Sequence, residues 1–170
     1  QAYVNQEAKS IALWWDVVAY ATSYDIYQII DGERTFVQNT PNTRIVFNNK
    51  PYGGYTYEVI AHSKYGDSPF SNQVNANVEP MLEAPTTPKG TVNGDDAVLS
   101  WDPVKDADSY NVYEEVNGEK VLVGNTNDPE LTVEDVEPGE HVYIIVPVSP
   151  TGKESSESTS VTVDVKQSDT

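Results

Sequence analysis

The chain repeats itself. Residues 11–66 align with residues 97–152 at a constant offset of 86, with no gap, and 17 of the 56 positions are identical. The shared positions include Trp15/Trp101, Asp16/Asp102, Tyr24/Tyr110, Tyr27/Tyr113, Gly32/Gly118, Gly53/Gly139, Tyr57/Tyr143 and Gly66/Gly152. A self-match of this length marks a duplicated structural unit. Each unit has about 80 residues, and a chain of that size buries only roughly 60–65% of its unfolded surface, so its core is small.

The pattern inside each copy has period 2. Ile11, Leu13 and Trp15 alternate with Ala12 and Trp14; Tyr55, Tyr57, Val59 and Ala61 alternate with Thr56, Glu58, Ile60 and His62. Such alternation, cut by Gly, Pro, Asn and Asp, predicts strands. Asp31-Gly32 and Asn117-Gly118 are dipeptides that close two-residue hairpins. No ten-residue stretch has helical period. Short strands with turn signals every 8–12 residues predict an all-β fold of two sandwiches in tandem, with seven strands each. The expected boundaries are residues 1–79 for the first domain, a proline-rich spacer at 80–87, residues 88–166 for the second domain and a polar tail at 167–170.

Charge narrows the partners. The net charge is −17, divided as −4 over residues 1–84 and −13 over residues 85–170. Such a surface repels phosphate backbones and anionic lipid, which argues against nucleic acid and membrane surfaces. The longest apolar run, Val142 to Val148, is far shorter than the ~20 residues of a membrane helix, so membrane insertion is not expected. Cysteine is absent, which excludes disulfides and thiol chemistry. No Ser-His-Asp set, paired carboxylates or calcium-loop pattern can be placed. The expectation is a non-catalytic protein without metal or cofactor.

The phrases Leu13-x-Trp15, Leu99-x-Trp101-x-Pro103, Tyr24-x-Ile26, Tyr110-x-Val112, Pro138-Gly139-x-x-x-Tyr143 and Gly152-x-x-Ser155 stand in an order that resembles the fibronectin type III domain, twice. The resemblance implies an immunoglobulin-like sandwich of a three-stranded and a four-stranded sheet. It implies core roles for Trp15, Trp101, Tyr24 and Tyr110. The family's corner tyrosine falls on Tyr55 in the first copy but on His141 in the second. The style is closer to bacterial extracellular members than to animal ones. The family's adhesive Arg-Gly-Asp tripeptide is absent.

Two surfaces stand out as candidate contacts. Trp14 neighbours a core Trp, so it points outward, and its counterpart is Ser100. An exposed Trp can stack on a sugar ring; alternatively it is a lid over Arg44 and Val46. In the second copy, Val142, Ile144, Val146 and Val148 point outward beside Tyr113, where the first copy has the polar-looking Thr56, Glu58, Ile60 and His62. An aliphatic outer strip is a candidate protein contact, a register slip, or a strip covered locally. The resemblance implies a spacer and protein-interaction tandem in a larger secreted or cell-surface protein, its partners being neighbouring domains or another protein. Two alternatives stand beside it: a carbohydrate-binding accessory module of a polysaccharide-degrading enzyme, and phage tail or baseplate decoration.

Overall fold

Alternating apolar residues form eight strands in the first unit: β1 (Ala2–Asn5), β2 (Ser10–Trp14), β3 (Ser23–Ile30), β4 (Glu33–Thr40), β5 (Arg44–Phe47), β6 (Gly53–Ser63), β7 (Gly66–Asp67) and β8 (Val74–Val78). The second unit has seven: β9 (Lys89–Asn93), β10 (Asp96–Ser100), β11 (Ser109–Val116), β12 (Glu119–Thr126), β13 (Glu130–Val133), β14 (Gly139–Val148) and β15 (Thr159–Val165). This computed structural model describes residues 1–166, and the expected tail at 167–170 lies outside the described residues. The chain divides into one unit over Gln1–Glu79 and one from Pro80 onward. Among the described residues no helix is long and apolar enough to cross a membrane.

Each unit is an antiparallel sandwich. The first packs the sheet β1-β2-β5 against a sheet in the order β4-β3-β6, with β7 and β8 both paired to β6. The second packs β13-β10-β9 against β12-β11-β14-β15. Duplication extends to fine detail. The hairpin β3/β4 slips register between Ile26 and Tyr27, and β11/β12 slips at the corresponding Val112 and Tyr113. Asp31 and Asn117 adopt φ of 52° and 53°, and the glycines after them 83° and 80°. Positive φ at both turn positions matches the twist of the flanking strands and explains the Asp-Gly and Asn-Gly choice.

The first unit's last strand differs from a continuous seventh strand. Pro69 has no N–H to give, so β7 and β8 are separate segments. Serine hydroxyls repair the gap: Val59 N donates to Ser71 Oγ at 2.9 Å and Ala61 N to Ser68 Oγ at 2.9 Å.

Each core is built on a Trp–Tyr edge contact, Trp15–Tyr24 at 5.4 Å and Trp101–Tyr110 at 5.2 Å between ring centres. Tyr57 and Ile26 in one unit, and Tyr143, Val112 and Leu99 in the other, are almost fully buried. The two tryptophans are not equivalent. Trp101 is buried at 5% exposure, whereas Trp15 packs on its core from a half-buried position.

Residues 80–87 do not form a free spacer. Leu82 and Pro85 are buried. Ser155 Oγ donates to the Leu82 carbonyl at 2.8 Å, and Asp102 N donates to the Thr86 carbonyl at 3.0 Å. The segment is held along the second unit. Strand β9, which lies inside the expected domain, has few apolar residues to announce it. Its Gly90 is required by packing, because a Cβ there would sit 2.5 Å from Val163 Cγ2.

Candidate functional site

Two surfaces were singled out by residue type, and the structure places them on opposite kinds of sheet. Trp14 ends β2 on the outer face of the three-stranded sheet of the first unit. It lies opposite Arg44 of β5; one step along the face, Tyr3, Ala12 and Val46 share a rung. The alternation that sends Ile11 and Leu13 into the core sends Ala12 and Trp14 outward. Tyr3, Ala12, Trp14, Thr43 and Arg44 line a groove of about 480 Å³, into which Trp15 also reaches. Tyr3 is 61% exposed. Trp14 is half-buried while Val46 and Arg44 are exposed, so Trp14 is not a lid over them. Among the described residues the Arg44 guanidinium has no hydrogen-bond or ion-pair partner.

The second surface is the outer face of β14. Tyr143, Ile145 and Pro147 point inward, so the register has not slipped. Val142 and Ile144 are half-buried, with Ile144 opposite Tyr113. Val146 and Val148 are buried, at 4% and 7% exposure. These two are therefore not the exposed contact residues that the alternation predicts: the chain after β14 covers them. Val148 bridges to Glu154, and Ser155 N donates to the Pro147 carbonyl at 2.8 Å. Glu154 Oε1 accepts from Asn111 Nδ2 at 2.7 Å and from the Tyr113 hydroxyl. These bonds, led by the one from Tyr113, hold the Glu154 carboxyl below the usual range, and the same contact raises the Tyr113 phenol. Tyr113 is thus tied to its own domain.

The corresponding face of the first unit is not the wet surface its composition suggests. Glu58 is 4% exposed. Arg34 Nε donates to Glu58 Oε2 at 2.6 Å, and Gln73 Nε2 donates to Oε1 at 3.2 Å. The Arg34 bond is the main reason its carboxyl lies below the usual range. Arg34 also lies over the Phe70 ring at 4.2 Å, and Tyr27 meets both Phe36 and Phe70 edge-on. This buried carboxylate is held by partners 24 and 15 residues away along the chain.

Both histidines carry two acceptors. His62 donates to Asp67 Oδ1 at 2.5 Å and to Asp25 Oδ2 at 2.7 Å. The bond to Asp67, then that to Asp25, raises its pKa above 6.5. His141 donates from Nδ1 to Glu114 Oε1 at 2.6 Å and from Nε2 to the Glu137 carbonyl at 2.8 Å. The first unit's corner bond runs from the Tyr55 hydroxyl to the Pro51 carbonyl at 2.8 Å. His141 therefore makes the same four-residue reach that its tyrosine counterpart makes.

The sandwich pair has known relatives in shape. A two-domain fibronectin type III segment from chicken tenascin superposes with a TM-score of 0.60 over 97% of each chain, at 19% identity. The fold is a tandem of fibronectin type III domains. A three-domain segment of chicken CNTN1 covers 96% of this chain and 64% of its own, with a TM-score of 0.46 and 18% identity. By sequence, the Drosophila melanogaster cell adhesion molecule Dscam1 is 31% identical over 107 residues, which is 59% of this chain. This chain spans only 5% of that relative's length. The family model described as the C-terminal domain of GH85 endohexosaminidases matches residues 89–166. That match falls on the second fibronectin type III domain. Fibronectin type III tandems of this kind fit a non-catalytic module.

Proposed function

We propose that the tandem is the non-catalytic accessory part of a larger secreted or cell-surface protein, where it spaces neighbouring domains and contacts them or another protein. The observation that carries this reading is the architecture itself: two complete sandwiches in series, like the tenascin segment. A fold alone does not name a role. Val142 and Ile144 are the part of the β14 strip that stays accessible for such a contact.

A second reading is favoured by one finding. The match of residues 89–166 to the C-terminal domain of endohexosaminidases supports a parent protein that works on glycans. On that reading the tandem is the carbohydrate-binding accessory module weighed above. The test is deletion. The parent protein is expressed with and without these 170 residues, and its turnover of a soluble and of an insoluble glycan is compared. Loss on the insoluble glycan alone supports the glycan reading. Equal turnover on both, with unchanged surface attachment and partner capture, overturns the accessory role.

A further inference from the structure

The duplicated fold supplies its own control for the groove on the first domain. At equivalent positions of the second domain, Thr91, Val98 and Thr132 replace Tyr3, Ala12 and Val46. Ser100 and Glu130 replace Trp14 and Arg44. That domain builds the same sheet and the same Trp–Tyr core without any of the aromatic groups. The fold does not need Tyr3 and Trp14 on this face. Tyr3 is exposed and Trp14 half-buried on this face, and contiguous accessible apolar surface marks contact sites.

The chemistry of the groove selects its occupant. Tyr3 and Trp14 flank a shallow floor at Ala12, which presents no side chain beyond a methyl group. Arg44 and Thr43 stand at one side with donors and an oxygen, and among the described residues the guanidinium has no partner of its own. The volume, about 480 Å³, lies in the range of small-ligand sites, roughly 300–1,000 Å³. An apolar ligand would make no use of the planar five-donor fork of Arg44. A phosphate or strongly acidic ligand would meet only one cation on a domain of net −4 over residues 1–84. A pyranose ring answers both features: its axial C–H face packs on an aromatic face, and its equatorial hydroxyls or acetamido oxygen accept from guanidinium.

We propose that the groove formed by Tyr3, Trp14 and Arg44 on the outer face of β1-β2-β5 is a saccharide-binding site for hexosamine-containing glycans. The choice of hexosamine rests on the glycan reading above; the groove itself rests on the geometry. In this assignment Trp14 is the stacking platform, Tyr3 closes the opposite edge and Arg44 orients the ring through its polar rim. The second domain does not share the site.

The test uses the whole chain. N-acetylchitotetraose is titrated by calorimetry and by saturation-transfer NMR, with soluble mannan and xylan as further arms. Binding of the chitotetraose is expected, weakened about tenfold or more in Trp14→Ala and in Tyr3→Ala, as loss of one stacked ring costs about one decade. Arg44→Ala should weaken it as well, while Tyr113→Phe on the second domain leaves it unchanged. Circular dichroism and melting curves check that each variant is folded. Should Trp14→Ala unfold the first domain, Tyr3→Ala and Arg44→Ala, at exposed positions, decide alone. No binding of any of the three saccharides by the wild type overturns the site. Binding that all three variants leave intact also overturns it, but leaves the glycan reading standing with a different location. Preference for mannan or xylan over chitotetraose keeps the saccharide site and removes the hexosamine assignment.

Discussion

His141 shows how one substitution can make a structural bond titratable. Its counterpart Tyr55 reaches back four residues with a hydroxyl, which donates across the whole neutral range. His141 reaches the same distance with Nε2, while Nδ1 is held by Glu114. Only the imidazolium donates from both nitrogens. The Glu114 bond is the main cause of its raised pKa; burial opposes it, and the Glu137 carbonyl adds to it. The groups around the ring are the acidic Glu114 and Glu137 and the stacked Tyr143, whose phenol burial pushes up to about 12. A raised folded pKa stabilises fully below the unfolded value near 6.5 and loses that contribution as pH rises through the folded value. The second domain should therefore weaken, by on the order of 1 kcal/mol, as pH rises from below 6 to above that raised value. Amide exchange of β11 and β14 measures it. In His141→Tyr the slope should flatten, since the corner bond no longer titrates. An unchanged slope assigns the effect to other groups.

At the scale of elements, the cover over β14 depends on one carboxylate. Glu154 holds the segment after β14 against Asn111 and Tyr113, and Val146 and Val148 lie beneath it. Glu154→Ala should raise exchange of amides 149–158 about tenfold, equivalent to about 1.4 kcal/mol of local opening. It should also expose Val146 and Val148 to a hydrophobic dye. Acid should act in the same direction: a depressed carboxyl stabilises above its unfolded value of 4.5, and that contribution fades as pH falls through the lowered one. Unchanged exchange in the variant would show that Ser155 and Ser149 hold the segment without it. This cover marks the limit of what was legible in the sequence. Period 2 revealed the strand and its outward set Val142, Ile144, Val146 and Val148, because those depend on neighbours in the chain, and left a register slip open that the buried Tyr143 and Ile145 exclude. What lies over the outer face depends on partners such as Tyr113 and Glu154, 41 residues apart. The same reason hid the Arg34–Glu58 pair and the strand Lys89–Asn93, whose Gly90 is chosen by the close approach of Val163. Trp14, by contrast, was legible as an outward residue beside Arg44, and Tyr3 emerged only once β1 was paired next to β2.

The whole molecule carries two cores of unequal build and two surfaces of unequal charge. Truncating a buried Trp typically costs about 3–5 kcal/mol, and a domain of this size has about 5 kcal/mol or a little more in all. Trp101→Ala should then unfold the second domain while the first keeps its far-ultraviolet signal and its Trp15 emission. Trp15→Ala should cost less, because Trp15 is only half-buried and loses less packing. One shared transition shifted equally by both variants would show the cores to be coupled. Charge sets the second contrast. Residues 85–170 hold 18 acidic and 5 basic side chains, against 9 and 5 in residues 1–84. Like charges crowded on a small sandwich oppose compaction, and salt screens them over a Debye length of about 10 Å at 0.1 M. Ion pairs, whose attraction salt weakens, lie in both domains, Arg34–Glu58 and His62–Asp25 in the first and His141–Glu114 and Lys166–Asp164 in the second, so net charge is what distinguishes the two. Raising ionic strength from about 0.01 to 0.5 M, a range over which that length shrinks several-fold, should therefore lift the melting temperature of the second domain more than that of the first. The two transitions can be followed in the full chain by amide exchange assigned to each domain. A larger gain in the first domain would mean that fixed pairs, not net charge, govern how this tandem responds to salt.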